Sequence, residues 1–185
     1  MKQYSVILIG AGNRGMTYTR EMLKMPEKYK LVAMADPLDY KRERCMNECG
    51  LTEAQCYTDW RELLAKPKMA DISVIATMDD MHYEPAMKAI ELGYDLLLEK
   101  PVANTEKECI DIANAAKAKG VRVLVCHVLR YTPFYRTVKS IIESGDRVRI
   151  SRLIKTIYLR NKAREQEGKK QHLFHGEKPN IERFL

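Results

Sequence analysis

The sequence predicts an α/β fold, a doubly wound parallel sheet with a short basic C-terminal appendage, and three observations carry that expectation. Apolar runs alternate with helix-compatible segments along most of the chain, the pattern of a parallel sheet with helices on both faces. The apolar run at residues 4–9 leads at once into Gly10-Ala11-Gly12-Asn13-Arg14-Gly15. A second run, at residues 30–35, ends on a carboxylate, Asp36, 21 positions after Gly15.

A strand running into G-x-G-x-x-G, with a helix behind it, is the phosphate-binding turn of a dinucleotide fold. Gly10 allows the tight turn, Gly12 lets the backbone approach a pyrophosphate, and Gly15 lets the helix pack closely. The helix start, with unpaired N–H groups and partial positive charge, faces the phosphates, so Asn13 and Arg14 join the candidate cofactor contacts. Asp36 stands where such folds place the acid that hydrogen-bonds the adenosine ribose hydroxyls. An acid there repels a 2′-phosphate and argues for NAD over NADP, although Lys41, Arg42 and Arg44 weaken that preference. The competing reading is that Asp36 merely starts a turn at Pro37, with the basic residues on a solvated helix face.

The remaining elements follow in order. Residues 13–24 read as a helix stopping before Pro26, and residues 38–49 as a helix closed by Gly50, suited to a left-handed C-cap. A short strand falls near residues 55–57, then a short helix at 59–64 that stops near Pro67. Residues 71–77 read as a buried parallel strand, 85–92 as a helix ending at Gly93, and 94–98 as the next strand. Thr105 and Glu108 form a capping box that opens a helix to Lys119, ended by Gly120. Residues 121–125 are the last strand. The whole is a Rossmann-type sheet. The expected domains are a nucleotide-binding domain at 1–128, an exit segment and helix at 129–145, and a basic tail at 146–185.

At 185 residues, with 45% hydrophobic and 31% charged residues, the chain suits one ordinary soluble domain plus an appendage. No apolar run approaches the ~20 residues of a membrane span, and no signal-peptide pattern precedes the first strand. Five cysteines without metal-site spacing read as reduced thiols in a cytoplasmic protein. Cys45 and Cys49 would lie one helical turn apart, as packing rather than as ligands. Residues 1–145 carry 21 Lys+Arg against 20 Asp+Glu, and residues 146–185 carry 11 against 5. The basic excess therefore belongs to the tail, which removes the whole-protein argument for nucleic-acid binding.

In open sheets of this kind ligands bind beyond the carboxyl ends of the strands, which directs attention to Thr77, Asp79, His82, Glu99, Lys100 and His127. A lysine at a buried strand end, beside a cationic oxidised ring, should have its pKa lowered by desolvation and like charge. So tuned, Lys100 could exchange a proton with a substrate hydroxyl while hydride moves. From the dipeptide alone, Glu99 and Lys100 read more simply as an exposed ion pair.

Four spaced motifs go further: Gly10-x-Gly12-x-x-Gly15, Ala76-Thr77-x-Asp79-x-x-His82, Ala86-x-x-Ala89-x-x-x-Gly93 and Glu99-Lys100-Pro101-x-Ala103. Together they closely resemble the glucose–fructose oxidoreductase / inositol dehydrogenase family (Gfo/Idh/MocA) over about residues 3–145. Arg130-Tyr131-x-Pro133, with Lys139, Ile142 and Gly145, resembles the segment where such proteins leave the nucleotide domain. The resemblance implies NAD(P)-dependent oxidation or reduction of sugars, cyclitols or related polyols. It implies Lys100 as the catalytic lysine, with Thr77, His82, Glu99 and His127 around the nicotinamide end and Asp79 among the cofactor contacts. Without it, His82 reads as a helix-start residue and His127 as a hydrogen-bonded strand end.

The family continues into a second α/β domain that holds the substrate, and nothing after Gly145 clearly resembles it. A truncation or frame change after Gly145 is one expected origin of the tail. Ile150, Leu153, Ile154, Ile157 and Tyr158 form an apolar stripe flanked by Arg149, Arg152, Lys155 and Arg160, which reads as a basic amphipathic helix. That stripe suits packing on its own domain or on a second copy, and hence a homo-oligomer, better than a membrane or nucleic acid. Residues beyond Lys162 read as disordered, and His172 and His175 lack companions for a metal site. The expected function is thus an NAD-dependent sugar or polyol oxidoreductase, present here as its nucleotide-binding part. The alternatives are an NAD-dependent glycosidase of the same family and a non-catalytic dinucleotide-binding module.

Overall fold

The computed structural model describes residues 2–145 together with Val148, Arg149, Ser151, Arg152, Lys155 and Leu159. The chain divides into two units, with the boundary between His127 and Val128.

The first unit is one sheet of six parallel strands. These are β1 (Tyr4–Ile9), β2 (Tyr29–Ala35), β3 (Cys56–Tyr57), β4 (Ile72–Ile75), β5 (Asp95–Leu98) and β6 (Val123–Val125). The helices are α1 (Asn13–Leu23), α2 (Asp39–Cys49), α3 (Trp60–Leu64), α4 (Tyr83–Glu91) and α5 (Glu106–Lys119). The strand order is β3-β2-β1-β4-β5-β6, so the side on which successive strands are added switches between β1 and β4. That doubly wound order opens a crevice beyond the carboxyl ends of those two strands.

Side-chain alternation along β1 explains why both faces are covered. Val6 and Leu8 point to one face and pack with Met34, Val74, Met16 of α1 and Cys45 of α2. Ile7 and Ile9 point to the other and pack with Ala33, Ile75, Leu98 and residues of α3, α4 and α5. All four β1 side chains are at most 1% exposed, so β1 is the centre of the core.

The helix ends follow local chemistry. Gly50 and Gly120 close α2 and α5 with φ of 67° and 72°, the left-handed cap that the two glycines announced. The capping box at α5 is present: Glu108 N–H donates to Thr105 Oγ1 at 3.3 Å, and Thr105 N–H donates to Glu108 Oε2 at 3.1 Å. The strands expected at 71–77 and 94–98 are shorter, Ile72–Ile75 and Asp95–Leu98. Beyond the strand the chain leaves the sheet for the crevice, where a 3-10 turn at Asp79–Met81 leads into α4. Cys45 and Cys49 meet across one turn of α2 with sulfurs 3.8 Å apart, and all five cysteines are free thiols.

The second unit begins with a 3-10 turn, Val128–Tyr131, and continues as α6 (Pro133–Glu143). Thr132 caps α6 by accepting the Tyr135 N–H, and Pro133 occupies its first turn, where its missing N–H costs nothing. Arg149, Arg152 and Lys155 are helical and exposed. The apolar stripe read at Ile150, Leu153, Ile154, Ile157 and Tyr158 lies outside the described residues, as do Arg160, His172 and His175. Among the described residues no helix is long and apolar enough to cross a membrane. No group of three or more His, Cys, Asp or Glu among them could hold a metal ion.

Candidate functional site: a cavity at the carboxyl ends of the strands

A cavity of about 450 Å³ lies at the carboxyl edge of the first unit's sheet. Its wall includes Gly10, Gly12, Asn13, Arg14, Asp36, Thr77, Asp79, Glu99 and Lys100, nine of the twelve residues singled out from the sequence. Gly15, His82 and His127 are not part of that wall.

The glycine turn is built by steric exclusion. Gly10 has φ of +91°, and a Cβ there would sit 2.6 Å from the Ala76 carbonyl oxygen on the neighbouring β4 chain. At Gly15 a Cβ would lie 2.0 Å from the Gly10 carbonyl oxygen, so that residue supports the turn from below. A Cβ at Gly12 would meet nothing within 4 Å. Gly12 is also the N-cap of α1, and no side chain caps that end. An open backbone, unclaimed N–H groups and the positive end of the helix dipole form an anion cradle. These residues fit a pyrophosphate.

Asp36 is 3% exposed and closes the turn from the β2 side. Its Oδ2 accepts the Ala11 N–H at 2.8 Å and its Oδ1 accepts the Leu38 N–H at 3.0 Å. Lys41 Nζ stands 3.7 Å from Oδ2. The three neighbouring basic residues are not equivalent. Arg42 donates to the Asp36 carbonyl at 2.7 Å and Arg44 to the Ala11 carbonyl at 2.5 Å, whereas Lys41 lines the cavity.

At the other end of the cavity, Glu99 is 5% exposed. Its Oε2 accepts the Lys100 N–H at 2.9 Å, and its Oε1 accepts the Tyr18 hydroxyl in a short hydrogen bond. Burial pushes the Tyr18 hydroxyl pKa well above the usual phenol range, and Cys126 and Glu99 push it the same way. Sequence reading missed Tyr18. Its signal was faint: it lies three positions after Gly15, on the helix face that buries Met16 and Thr19, with an aromatic hydroxyl that needs a partner when buried.

Two expectations are corrected. Lys100 is exposed rather than buried: β5 ends at Leu98, Glu99 turns inward, and Lys100 stands past the strand end, in the bend before Pro101. His82 is 1% exposed and turned away from the cavity wall; its Nδ1 donates to the Pro101 carbonyl at 2.6 Å. It starts α4, as its place after Asp79 and Asp80 suggested, and it braces the Lys100–Pro101 segment, whose peptide bond is cis. His127 is exposed and does not line the cavity. Thr77 anchors the opposite wall, donating from Oγ1 to the Met81 carbonyl at 3.1 Å.

Fold and cavity together define a doubly wound domain that binds a dinucleotide across its switch point. Residues 4–127 match the oxidoreductase family with an NAD-binding Rossmann fold, Gfo/Idh/MocA, and the chain belongs to that family. The inositol 2-dehydrogenase/D-chiro-inositol 3-dehydrogenase of Lactiplantibacillus plantarum is 30% identical over 139 residues, covering 75% of this chain and 39% of the relative. An NAD binding oxidoreductase from Klebsiella pneumoniae superposes with a TM-score of 0.63 at 32% identity, over 78% of this chain and 40% of that one. The WlbA dehydrogenase from Bordetella pertussis, solved in complex with NADH and UDP-GlcNAcA, shares the fold with a TM-score of 0.70 at 22% identity. That likeness covers 78% of this chain and 44% of that one. The chain spans about two fifths of the length of the curated relatives it matches.

Proposed function

We propose that this chain is the nucleotide-binding part of an NAD-dependent oxidoreductase that acts on sugars, cyclitols or related polyols. The observation that supports this most is the convergence of the uncapped α1 start, Asp36 and the Glu99–Lys100 pair on one cavity. NAD, when bound, supplies the hydride acceptor. The open backbone at Gly12, Asn13 and Arg14 holds the pyrophosphate, with the Arg14 guanidinium adding charge. Asp36 accepts from the ribose hydroxyls on the lone pairs that Ala11 and Leu38 leave free. Thr77 and Asp79 border the nicotinamide end. Lys100 stands at the mouth and exchanges a proton with a substrate hydroxyl. Tyr18 holds Glu99, Glu99 holds the Lys100 N–H, and His82 holds Pro101, so two buried groups and the half-buried Tyr18 fix the main chain that presents the lysine.

Calorimetric titration with NAD(H) tests the binding half of this reading. A panel of sugars and inositols with NAD, followed by absorbance of the reduced cofactor against Lys100→Ala, tests the chemical half. The expected result for the 185-residue chain is NAD(H) binding with negligible turnover. Positioning a substrate against its partner accounts for ~7–11 kcal/mol of a barrier, and the family resemblance places that function in the second domain. Absence of NAD(H) binding would remove the reading. Lys100-dependent reduction of NAD would show instead that the residues present suffice to hold a substrate.

A further inference from the structure

We propose that Cys45 and Cys49 form a peroxide-reactive dithiol, in which Cys49 is oxidised first and Cys45 then closes a disulfide across the last turn of α2. The pair lies outside the dinucleotide cavity, whose wall includes neither cysteine. The two sulfurs are already in contact at 3.8 Å, as a thiol–sulfur hydrogen bond. Cys45 is fully buried in the cluster under β1 and β2, whereas Cys49 packs at the margin of that cluster and is only half-buried. In a continuous helix the Cβ atoms of such a pair stand ~5–6 Å apart, wider than the ~3.5–4.5 Å of a disulfide. The helix end must therefore give. Cys49 is the last residue of α2, and Gly50 behind it already leaves the helix with φ of 67°. Only the terminal turn has to open, the part of a helix that frays most readily.

The contact makes the two thiols unequal. The Cys45 S–H donates to the Cys49 sulfur and holds the Cys49 pKa below the ordinary thiol value; burial and Glu48 oppose this, and the Arg20 guanidinium adds to it. The same bond, with burial, pushes Cys45 well above the ordinary value. Burial also raises Cys56 and Cys126. Cys49 is thus the sulfur that carries thiolate, the attacking form, and Cys45 is the neighbour that resolves it. The chemistry closes with hydrogen peroxide as the two-electron oxidant. The Cys49 thiolate attacks a peroxide oxygen, the O–O bond breaks, hydroxide leaves, and Cys49 becomes a sulfenic acid. The Cys45 sulfur then attacks Cys49 Sγ. The S–S bond forms, the S–O bond breaks, and the departing hydroxide takes the Cys45 proton as water. With the proton that Cys49 released at the start, two thiols and one peroxide give one disulfide and two waters.

Differential alkylation of the full chain after treatment with hydrogen peroxide at neutral pH, mapped by fragmentation mass spectrometry, tests this. In wild type, two of the five thiols, Cys45 and Cys49, should become closed to alkylation and return with dithiothreitol, and the chain should lose two hydrogens. Cys49→Ser should abolish that loss. Cys45→Ser should leave Cys49 as a sulfenic acid that dimedone captures, and Cys56→Ser should react as wild type, with thermal melts to confirm that each variant folds. The wild-type map needs no variant, so it decides the matter even where a substitution prevents folding. Pairing of Cys49 with Cys56, a bond between two chains, or retention of all five thiols under peroxide that fully oxidises glutathione would each overturn the proposal.

Discussion

At the amino edge of the sheet, Asp71 accepts from Ser5 N–H at 2.9 Å, from Ser5 Oγ at 2.8 Å and from Lys2 Nζ at 2.9 Å. Asp95 on the same edge accepts from the Arg122 N–H at 2.8 Å and from its guanidinium. The carboxylates of the opposite edge, Asp36 and Glu99, are held by backbone N–H groups and a tyrosine, and the Lys41 ammonium 3.7 Å from Asp36 also lines the cavity. The amino-edge carboxylates fasten neighbouring strands and have partners of opposite charge. The carboxyl-edge carboxylates are packed into turns that must stay open to a ligand. The difference teaches that one edge is built for stability and the other for binding, which is the division expected when ligands dock beyond the carboxyl ends of strands.

The strongest way to break that division is within the glycine turn, where both demands meet. Gly15→Ala would drive a methyl into the Gly10 carbonyl at 2.0 Å, and backbone cannot move aside cheaply. The expected loss is about 3 kcal/mol of stability, measured by denaturant unfolding, together with loss of NAD(H) binding. Gly12→Ala meets no atom within 4 Å, so its stability should fall by no more than about 1 kcal/mol for the altered N-cap. Its methyl should nonetheless weaken NAD(H) about tenfold by standing in the anion cradle. If both substitutions cost the same stability, the two glycines would not have the separate tasks assigned to them.

A smaller effect isolates the amino edge. Asp71→Ala removes three hydrogen bonds to an ionised acceptor and should cost about 2 kcal/mol at neutral pH, with NAD(H) affinity unchanged. The Lys2 ammonium and the Ser5 donors hold the Asp71 carboxyl well below the usual carboxylate range. Its contribution is therefore complete above the unfolded-state value of about 4 and is lost as pH falls through the lower folded value. Urea midpoints across that acid window should converge for wild type and Asp71→Ala. A constant gap would mean that the carboxylate charge contributes nothing.

The smallest expected effect lies outside both edges. Every pairing named above falls within residues 2–145, while residues 146–185 carry 11 Lys+Arg against 5 Asp+Glu. A chain ending at Gly145 should keep cooperative unfolding and NAD(H) affinity, read by thermal melt and calorimetry. Loss of folding on that deletion would show that the 146–185 segment has been recruited into the nucleotide domain.

Much of this fold is legible in the chain because its signals are local. The Gly10–Gly12–Gly15 spacing, the left-handed caps at Gly50 and Gly120, and the Thr105–Glu108 box each act within a few residues. The apolar run of β1 declares a strand covered on both faces, since alternate residues all needed burial. Asp36 could be placed at the end of β2, and Lys100 at the end of β5, by counting. The orientation of those side chains was decided by partners distant in sequence. Glu99 turns inward to meet Tyr18, 81 positions away, and His82 turns from the cavity toward Pro101, 19 positions away. Asp36 folds onto Ala11, 25 positions away, and leaves Lys41 rather than Arg42 or Arg44 at the cavity wall. Periodicity and caps report the conformation of one segment. Which side chains meet across the crevice depends on the order in which strands join the sheet, and the β3-β2-β1-β4-β5-β6 order that brings α1, β2 and β5 around one cavity exists only in the folded chain.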